Sequence, residues 1–269
     1  GDLVVENEMG GYRFDASDSV CLALEKNFYS SYETPYIYKT IGTLAIDDRF
    51  YMPVLVHKPD GTGLWLGESN VRDYPGMWLR GTGAGGLKGV FPAYPETERL
   101  QGDRNLFITK TKDYIAQTIG TRSFPWRAFV IAENDAKLIE SEMVYKLGAP
   151  NTSGNTGWIR PGQVAWDWWN ANNIYGVDFS SGINTDTYKY YIDFAAKNGI
   201  EYIILDEGWY RIGGSVLEPV PEIDVSELCR YGATKNVGVI LWVVFKTLWD
   251  DIDEALALYE KWGVKGVKV

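Results

Sequence analysis

Carboxylate and tryptophan side chains cluster in the second half of the chain, at the points where apolar runs end. The runs end in Trp166-Asp167-Trp168-Trp169-Asn170, in Asp206-Glu207-Gly208-Trp209-Tyr210, in the segment from Trp242 to Lys246, and at Lys268. Carboxylates act as general acids, general bases and hydrogen-bond acceptors, and indole rings stack on flat or amphipathic ligands. The pattern indicates a site at which carboxylates and rings act on one small ligand.

Asp206 and Glu207 form the most specific pair of this set. Neighbouring strand residues point to opposite faces, so the two carboxylates do not share a proton if the strand continues through them. One of them then faces the pocket and accepts hydrogen bonds from the hydroxyls of a ligand, while the other follows at the end of the strand. A helix cap or a salt bridge to a flanking helix is the structural alternative.

Each of the other candidates also has a structural alternative. Asp167 lies between two tryptophans, and a carboxylate in apolar surroundings is costly unless it is ion-paired or functional, so both roles stay open. Most tryptophans of this half are predicted to be core residues, with Trp209 and Trp242 as the candidates for a ligand-facing ring. Lys268 either contacts hydroxyls or a carboxylate, or extends into solvent at a frayed strand end.

Composition narrows the function classes. The net charge of −10 and the lack of a basic run argue against nucleic acid as a partner, and no apolar run reaches the ~20 residues of a membrane span. The single histidine, His57, argues against a histidine-based triad, so hydrolytic chemistry would fall to carboxylates. Cys21 and Cys229 lack a zinc-ligand spacing and are predicted to be free thiols.

Residues 1–150 show short apolar or alternating runs broken by Gly, Pro and Asp. This pattern predicts an antiparallel sheet or sandwich without an amphipathic helix. The predicted strands are Thr43–Ile46, Tyr51–His57, Gly63–Leu66, Asn105–Thr109, Tyr114–Thr118 and Ala128–Ala132. The segment 151–163 is rich in Gly, Asn, Ser, Thr and Pro, and it is predicted to be a linker.

Residues 164–269 are predicted to form four strand and helix units. The strands are expected at Gln163–Trp169, Ile200–Leu205, Val237–Phe245 and Gly263–Val269, with helices at Asp186–Asn198, Val225–Lys235 and Asp250–Trp262. Strands apolar on both faces imply a helix-covered parallel sheet, here about the first half of a (β/α)8 barrel of typically ~250 residues. A doubly wound sheet is the alternative, although bulky rings follow the first strand where a phosphate loop needs glycines.

The segment WDWWNANNIYGVDFSSGINTDTYKYYIDFAAKNGIEYIILDEGWY resembles glycoside hydrolase family 97, as do ESNVRDYPGMWL and SSYETPYIY upstream. The resemblance implies a secreted or periplasmic bacterial exo-acting α-glycosidase, with a β-sandwich beside a (β/α)8 barrel, an oligosaccharide substrate and a calcium ion. WDWWN and YIILDEGWY are more similar to the retaining α-galactosidase branch of the family. An inverting α-glucosidase, a non-catalytic carbohydrate-binding fragment and an isomerase or aldolase barrel are the alternatives.

The resemblance also implies roles for single residues. It assigns Asp206 and Glu207 to galactose hydroxyls and Lys268 to a substrate contact. It assigns Glu33, with Glu68 as the second choice, to calcium, for which carboxylate oxygens are suitable ligands. Retaining members have their nucleophile directly after the VKV of strand four, which here ends at Val269. We therefore expect a truncated fragment of a longer protein, inactive in isolation, and the sequence does not indicate an oligomeric state.

Overall fold

The computed structural model describes residues 1–83 and 85–269, which fall into two compact units. The first unit comprises Gly1–Glu98 and Ile108–Gly154, and the second comprises Arg99–Phe107 and Asn155–Val269. The boundary between the two units at Gly154 and Asn155 therefore lies inside the segment 151–163 that was predicted to be a linker. Arg99–Phe107 lies within the first 150 residues but makes its contacts with the second unit.

Antiparallel β-strands dominate the first 150 residues. They are β1 (Asp2–Val5), β2 (Gly11–Arg13), β3 (Ser19–Leu22), β4 (Leu24–Glu25), β5 (Ile37–Thr40), β6 (Arg49–Tyr51), β7 (Val54–His57), β8 (Gly63–Ser69), β9 (Trp78–Gly81), β10 (Gly86–Val90), β11 (Pro95–Gln101), β12 (Asn105–Thr111), β13 (Ala116–Ile119) and β14 (Trp126–Ala132). Two five-stranded sheets have the orders β2-β10-β9-β6-β4 and β14-β8-β7-β3-β5, and β1-β13 and β11-β12 form separate pairs.

The core of the first unit follows from the alternation along its strands. Val20 and Leu22 of β3 and Val56 of β7 are fully buried, whereas the residues next to each of them within the same strand are only partly buried. They belong to the same hydrophobic cluster as Phe50 of β6 and Leu79 of β9, which are strands of the other five-stranded sheet. Both sheets therefore bury one face in a single core.

Two strand predictions for the first 150 residues are wrong. Thr43–Ile46 is not a strand, because Ile41–Thr43 form a 3-10 helix in which the Thr43 hydroxyl donates to the Thr40 carbonyl (2.7 Å). Tyr51–His57 is divided between β6 and β7, since Pro53 between them has no N–H to donate to a ladder. Two five-residue helices are also present, α1 (Asp135–Ile139) and α2 (Met143–Leu147), which are too short to show helical periodicity.

A parallel four-stranded sheet forms the centre of the second unit, in the order β15-β16-β17-β18. Its strands are β15 (Val164–Trp166), β16 (Tyr202–Leu205), β17 (Gly238–Trp242) and β18 (Gly266–Lys268), and its helices are α3 (Thr185–Asn198), α4 (Val225–Ala233), α5 (Phe245–Asp250) and α6 (Ile252–Trp262). The register pairs Trp166 with Ile204 and Trp242 with Lys268, which sets the C-terminal ends of the strands at one edge.

Side-chain caps explain why α3 and α4 begin where they do. The Asn184 side chain accepts a hydrogen bond from the Thr187 N–H, and the Asp224 side chain accepts one from the Glu227 N–H. Such caps satisfy backbone donors that have no partner inside the helix. The predicted helices Asp186–Asn198 and Val225–Lys235 are thus confirmed to within two residues at each end. None of the helices described is long and apolar enough to cross a membrane.

The first and third predicted strands of this unit are shorter than expected. β15 ends at Trp166, and residues 167–170 form a 3-10 helix in which the Asp167 carboxylate accepts a hydrogen bond from the Trp168 N–H (2.8 Å). β17 ends at Trp242, and α5 begins at Phe245. Asp167 therefore lies directly after the end of its strand.

Candidate functional site

Asp206 lies directly after β16, where the ends of three strands meet. Its Oδ2 accepts a hydrogen bond from the indole Nε1 of Trp166 (2.5 Å), and its Oδ1 accepts one from the Glu207 N–H (2.7 Å). The Nζ of Lys268 lies 3.5 Å from the same Oδ2 and 3.8 Å from the centroid of the Trp166 ring. The predicted grouping of Asp206 and Lys268 therefore exists, and Trp166 is an additional member that the sequence did not single out.

The Glu207 carboxylate forms a bidentate ion pair with Arg104. Nη1 of Arg104 donates to Oε2 (3.0 Å) and Nη2 donates to Oε1 (2.9 Å), while Asp103 accepts from Nε (2.8 Å) and Nη2 (3.0 Å). The guanidinium carbon also lies 5.3 Å from the centroid of the Trp242 ring. The hydrogen bonds that Arg104 donates to Asp103 and, as the second cause, to Glu207 raise the pKa of its guanidinium, which stays charged.

Asp167 is buried and is held by hydrogen bonds. Its Oδ2 accepts from the Tyr188 hydroxyl (2.5 Å), and its Oδ1 accepts from the backbone N–H of Trp168 (2.8 Å) and of Asp206 (3.2 Å). Burial raises the pKa of the carboxyl, with the hydrogen bond from Tyr188 acting in the opposite direction. Asp167 forms no ion pair in the part of the chain described, and its contact with a substrate stays a prediction. Asp167 instead holds the backbone at Asp206.

The division of the tryptophans into buried and exposed rings differs from the prediction. Trp209 is 0% exposed and its Nε1 donates to the Trp242 carbonyl (2.7 Å), so the predicted ligand contact is wrong and the ring belongs to the core. Trp168 and Trp169 are 60% and 78% exposed, and their ring centroids lie 5.2 and 6.1 Å from that of Trp166. The rings available for stacking are thus those that follow β15.

Glu33 and Glu68, the predicted calcium ligands, both lie in the first unit. Glu33 is exposed and accepts a hydrogen bond from the Ser31 hydroxyl (2.9 Å). Glu68 accepts one from the Met77 N–H (2.7 Å) and is ion-paired with Arg127, and burial raises its pKa. No group of three or more His, Cys, Asp or Glu residues among those described is arranged to hold a metal. Because calcium takes six to eight oxygens, these two residues do not by themselves form its site.

Arg104 is a second residue of the candidate site that sequence reasoning missed. The segment Gly102-Asp103-Arg104 joins β11 to β12, and a charged residue in a turn is usually solvated. Its partner Glu207 is 103 positions away in the sequence. The only signal was an arginine directly before the predicted strand Asn105–Thr109, which does not identify a partner.

Comparison with known proteins identifies both halves of the chain. Residues 1–150 match the N-terminal domain of glycosyl hydrolase 97, and residues 168–269 match glycoside hydrolase 97. A retaining alpha-galactosidase of Bacteroides thetaiotaomicron is 40% identical over 247 residues, which cover 90% of this chain and 37% of that protein. A probable retaining alpha-galactosidase of Streptomyces bingchenggensis is 32% identical over 156 residues, covering 56% of this chain and 24% of that protein.

Solved structures of other proteins share the fold of this chain. A glycoside hydrolase family 97 enzyme of Pseudoalteromonas sp. strain K8, in complex with acarbose, has a TM-score of 0.81 at 21% identity, over 99% of this chain and 40% of that chain. A beta-arabinopyranosidase has a TM-score of 0.70 at 21% identity, over 96% of this chain and 41% of that chain. The chain spans well under half the length of these relatives.

The two family matches cover the β-rich N-terminal domain and the three strands β16, β17 and β18 of the parallel sheet, with Asp206, Glu207 and Lys268. The N-terminal match alone extends over more than half of the chain. A β-rich domain followed by part of a catalytic domain therefore makes up this chain, which belongs to glycoside hydrolase family 97.

Proposed function

We propose that the intact protein is an exo-acting, retaining α-galactosidase that releases terminal galactose from oligosaccharides. The observation that carries the proposal is the cluster of Asp206, Lys268 and Trp166 at the ends of three parallel strands, with the Glu207 carboxylate beside it. The 40% identity to a retaining alpha-galactosidase supports the choice of reaction.

The site residues have complementary roles in this proposal. Asp206 accepts hydrogen bonds from sugar hydroxyls, and Lys268, which already faces Asp206, donates one. The exposed rings of Trp168 and Trp169 stack on the apolar face of a sugar, as indole rings commonly do with amphipathic ligands. Charge-assisted hydrogen bonds of this kind are stronger than neutral ones and fix the orientation of the bound galactose.

We assign bond cleavage to a carboxylate pair outside this set. A retaining glycosidase places its nucleophile and its general acid about 5 to 5.5 Å apart. Asp206 is held by Trp166 and Lys268, and both oxygens of Glu207 are occupied by Arg104, so these carboxylates suit binding rather than nucleophilic attack. By resemblance to the family, the nucleophile follows Val269 in the intact protein.

The domain boundaries and the barrel architecture are part of the same proposal. We propose a β-sandwich domain over residues 1–150, a linker over 151–163, and strands 1–4 of a (β/α)8 barrel over 164–269. The parallel order β15-β16-β17-β18 supports the barrel, as does the position of the candidate site at the C-terminal strand ends, where such barrels have their active sites.

Calcium and location are proposed from the family resemblance. We propose that the intact protein is secreted or periplasmic and binds calcium, with Glu33 or Glu68 among several oxygen ligands. Isothermal titration of the chelator-treated intact protein with calcium tests the metal. Weaker binding in Glu33→Gln or Glu68→Gln supports the assignment, and unchanged binding in both variants excludes these residues as ligands.

The reaction is tested by comparing p-nitrophenyl α-galactoside with the α-glucoside as substrates of the intact protein. We expect a higher kcat/KM for the α-galactoside, lowered about tenfold or more by Asp206→Asn because one charge-assisted contact is lost. The exposed Glu222→Gln is the matched control and leaves kcat/KM unchanged. A preference for the α-glucoside would instead support an inverting α-glucosidase, and sugar binding without hydrolysis would support a carbohydrate-binding protein.

A further inference from the structure

The turn between β11 and β12 reaches the candidate site through one side chain. Arg104 belongs by its contacts to the second unit, although the sequence around it matches the N-terminal domain of the family. Its guanidinium lies between the carboxylates of Asp103 and Glu207 and near the Trp242 ring. Arg104 thus contacts both Trp242, at the end of β17, and Glu207, which follows Asp206.

The geometry of the ion pair determines where the Glu207 carboxylate points. A glutamate has three rotatable side-chain bonds, but two parallel N–H to oxygen bonds from one planar guanidinium leave a single orientation. Asp103 in turn holds the guanidinium through Nε and Nη2. A lysine could neutralise the charge of Glu207 but could not reproduce the two parallel bonds.

Arg104 also keeps donor capacity for a ligand. A guanidinium has five N–H groups, and four of them are used by Asp103 and Glu207. The remaining N–H, on Nη1, has no partner in the described part of the chain. The Arg104 and Glu207 side chains are both about one-third exposed, at 36% and 34%, so a ligand can reach this pair.

We propose that Arg104 is a positioning residue for sugar recognition. It holds the Glu207 carboxylate in the one orientation from which that carboxylate accepts a hydrogen bond from a hydroxyl of the terminal sugar. The turn between β11 and β12 therefore helps to select among epimeric sugars. This inference rests on the proposed α-galactosidase function and adds a specificity-determining residue to that site.

A double-mutant cycle in the intact protein tests the inference. We expect Arg104→Ala to raise KM for p-nitrophenyl α-galactoside about tenfold with a smaller change in kcat, since a binding contact is lost. The ratio of kcat/KM for the α-galactoside to that for the α-glucoside falls as well. Arg104→Lys has an intermediate effect. In a Glu207→Gln background, Arg104→Ala adds little, because the carboxylate that it positions is already gone.

Arg99→Ala is the matched control, because it removes an exposed arginine from β11 of the same hairpin and leaves KM unchanged. A purely structural clamp predicts equal losses on both epimers, and that result overturns the inference. Effects of Arg104→Ala and Glu207→Gln that add also overturn it, because they would show that Arg104 does not act through Glu207. If the wild-type protein prefers another glycoside, the α-galactosidase proposal fails, and the same cycle measured on that glycoside still decides the role of Arg104.

Discussion

Asp167 accepts hydrogen bonds from the Tyr188 hydroxyl and from the backbone of Asp206, and so connects a buried residue of α3 to the candidate site. The burial that raises the pKa of its carboxyl makes the ionised form costly. A raised pKa means that the folded state binds more protons than the unfolded state, whose Asp pKa is about 3.9. The stability of the second unit therefore falls as pH rises from that value through the raised pKa.

Tyr188→Phe should make this pH dependence steeper. The variant removes the donor that lowers the pKa of Asp167, so the ionised carboxylate loses a partner while the protonated form loses less. We expect a cost of about 1 to 3 kcal/mol in the free energy of unfolding at pH 8 and a smaller cost near pH 4.5. Urea unfolding followed by tryptophan fluorescence measures both values.

Tyr231→Phe is the matched control for this experiment. It removes a hydroxyl that donates to Asp193 (2.9 Å), a carboxylate that is half exposed, so a cost of a few tenths of a kcal/mol, similar at both pH values, is expected. An equal cost of Tyr188→Phe at pH 4.5 and pH 8 would show that Asp167 is not ionised in the folded protein.

The loop after β16 is the element that sets the positions of Asp206 and Glu207. Gly208 has a φ of +116°, and a Cβ built on it would lie 2.2 Å from the Ile183 Cδ1. Only glycine adopts this backbone conformation readily, and a methyl group here would also displace the end of the Ile183 side chain. The chain therefore turns sharply at this point, immediately after the two carboxylates.

Gly208→Ala should disturb the site through this loop. We expect a loss of about 1 to 3 kcal/mol in stability, together with a rise in KM, because Asp206 and Glu207 shift when the backbone relaxes. Gly213→Ala is the control: Gly213 has a φ of +71°, and a Cβ there would have no neighbour within 4 Å. Thermal unfolding and steady-state kinetics of both variants compare the two positions, and equal effects would count against a special role of Gly208.

Elements with strong local signals were predictable from the sequence. α3 and α4 have side-chain caps and helical spacing of apolar residues, and both were predicted within two residues. α5 was missed, because the run VGVILWVVF is apolar throughout and carries no signal at Val243 or Val244 that the strand has ended. The 3-10 helix that begins at Asp167 was also missed. The hydrogen bond at its start joins the Trp168 N–H to the Asp167 side chain, and the sequence does not reveal such a contact.

At the scale of the whole molecule, the sequence predicted the two kinds of architecture and placed Asp206, Glu207 and Lys268 at strand ends. It could not predict Arg104 in the site, because the contact between Arg104 and Glu207 depends on how two distant segments pack. Burial of single rings was equally hard to foresee. Trp209 is in the core and Trp168 is exposed, although both follow strands in similar sequence surroundings.

Retention of configuration in the cleavage of an α-galactoside distinguishes the proposed reaction most directly from that of an inverting enzyme. Proton NMR of the intact protein acting on p-nitrophenyl α-galactoside reads the anomer of galactose as it is released, before mutarotation mixes the two forms. We expect α-galactose to appear first and the β-anomer to follow slowly. β-Galactose as the first product, or no release of galactose at all, would contradict it.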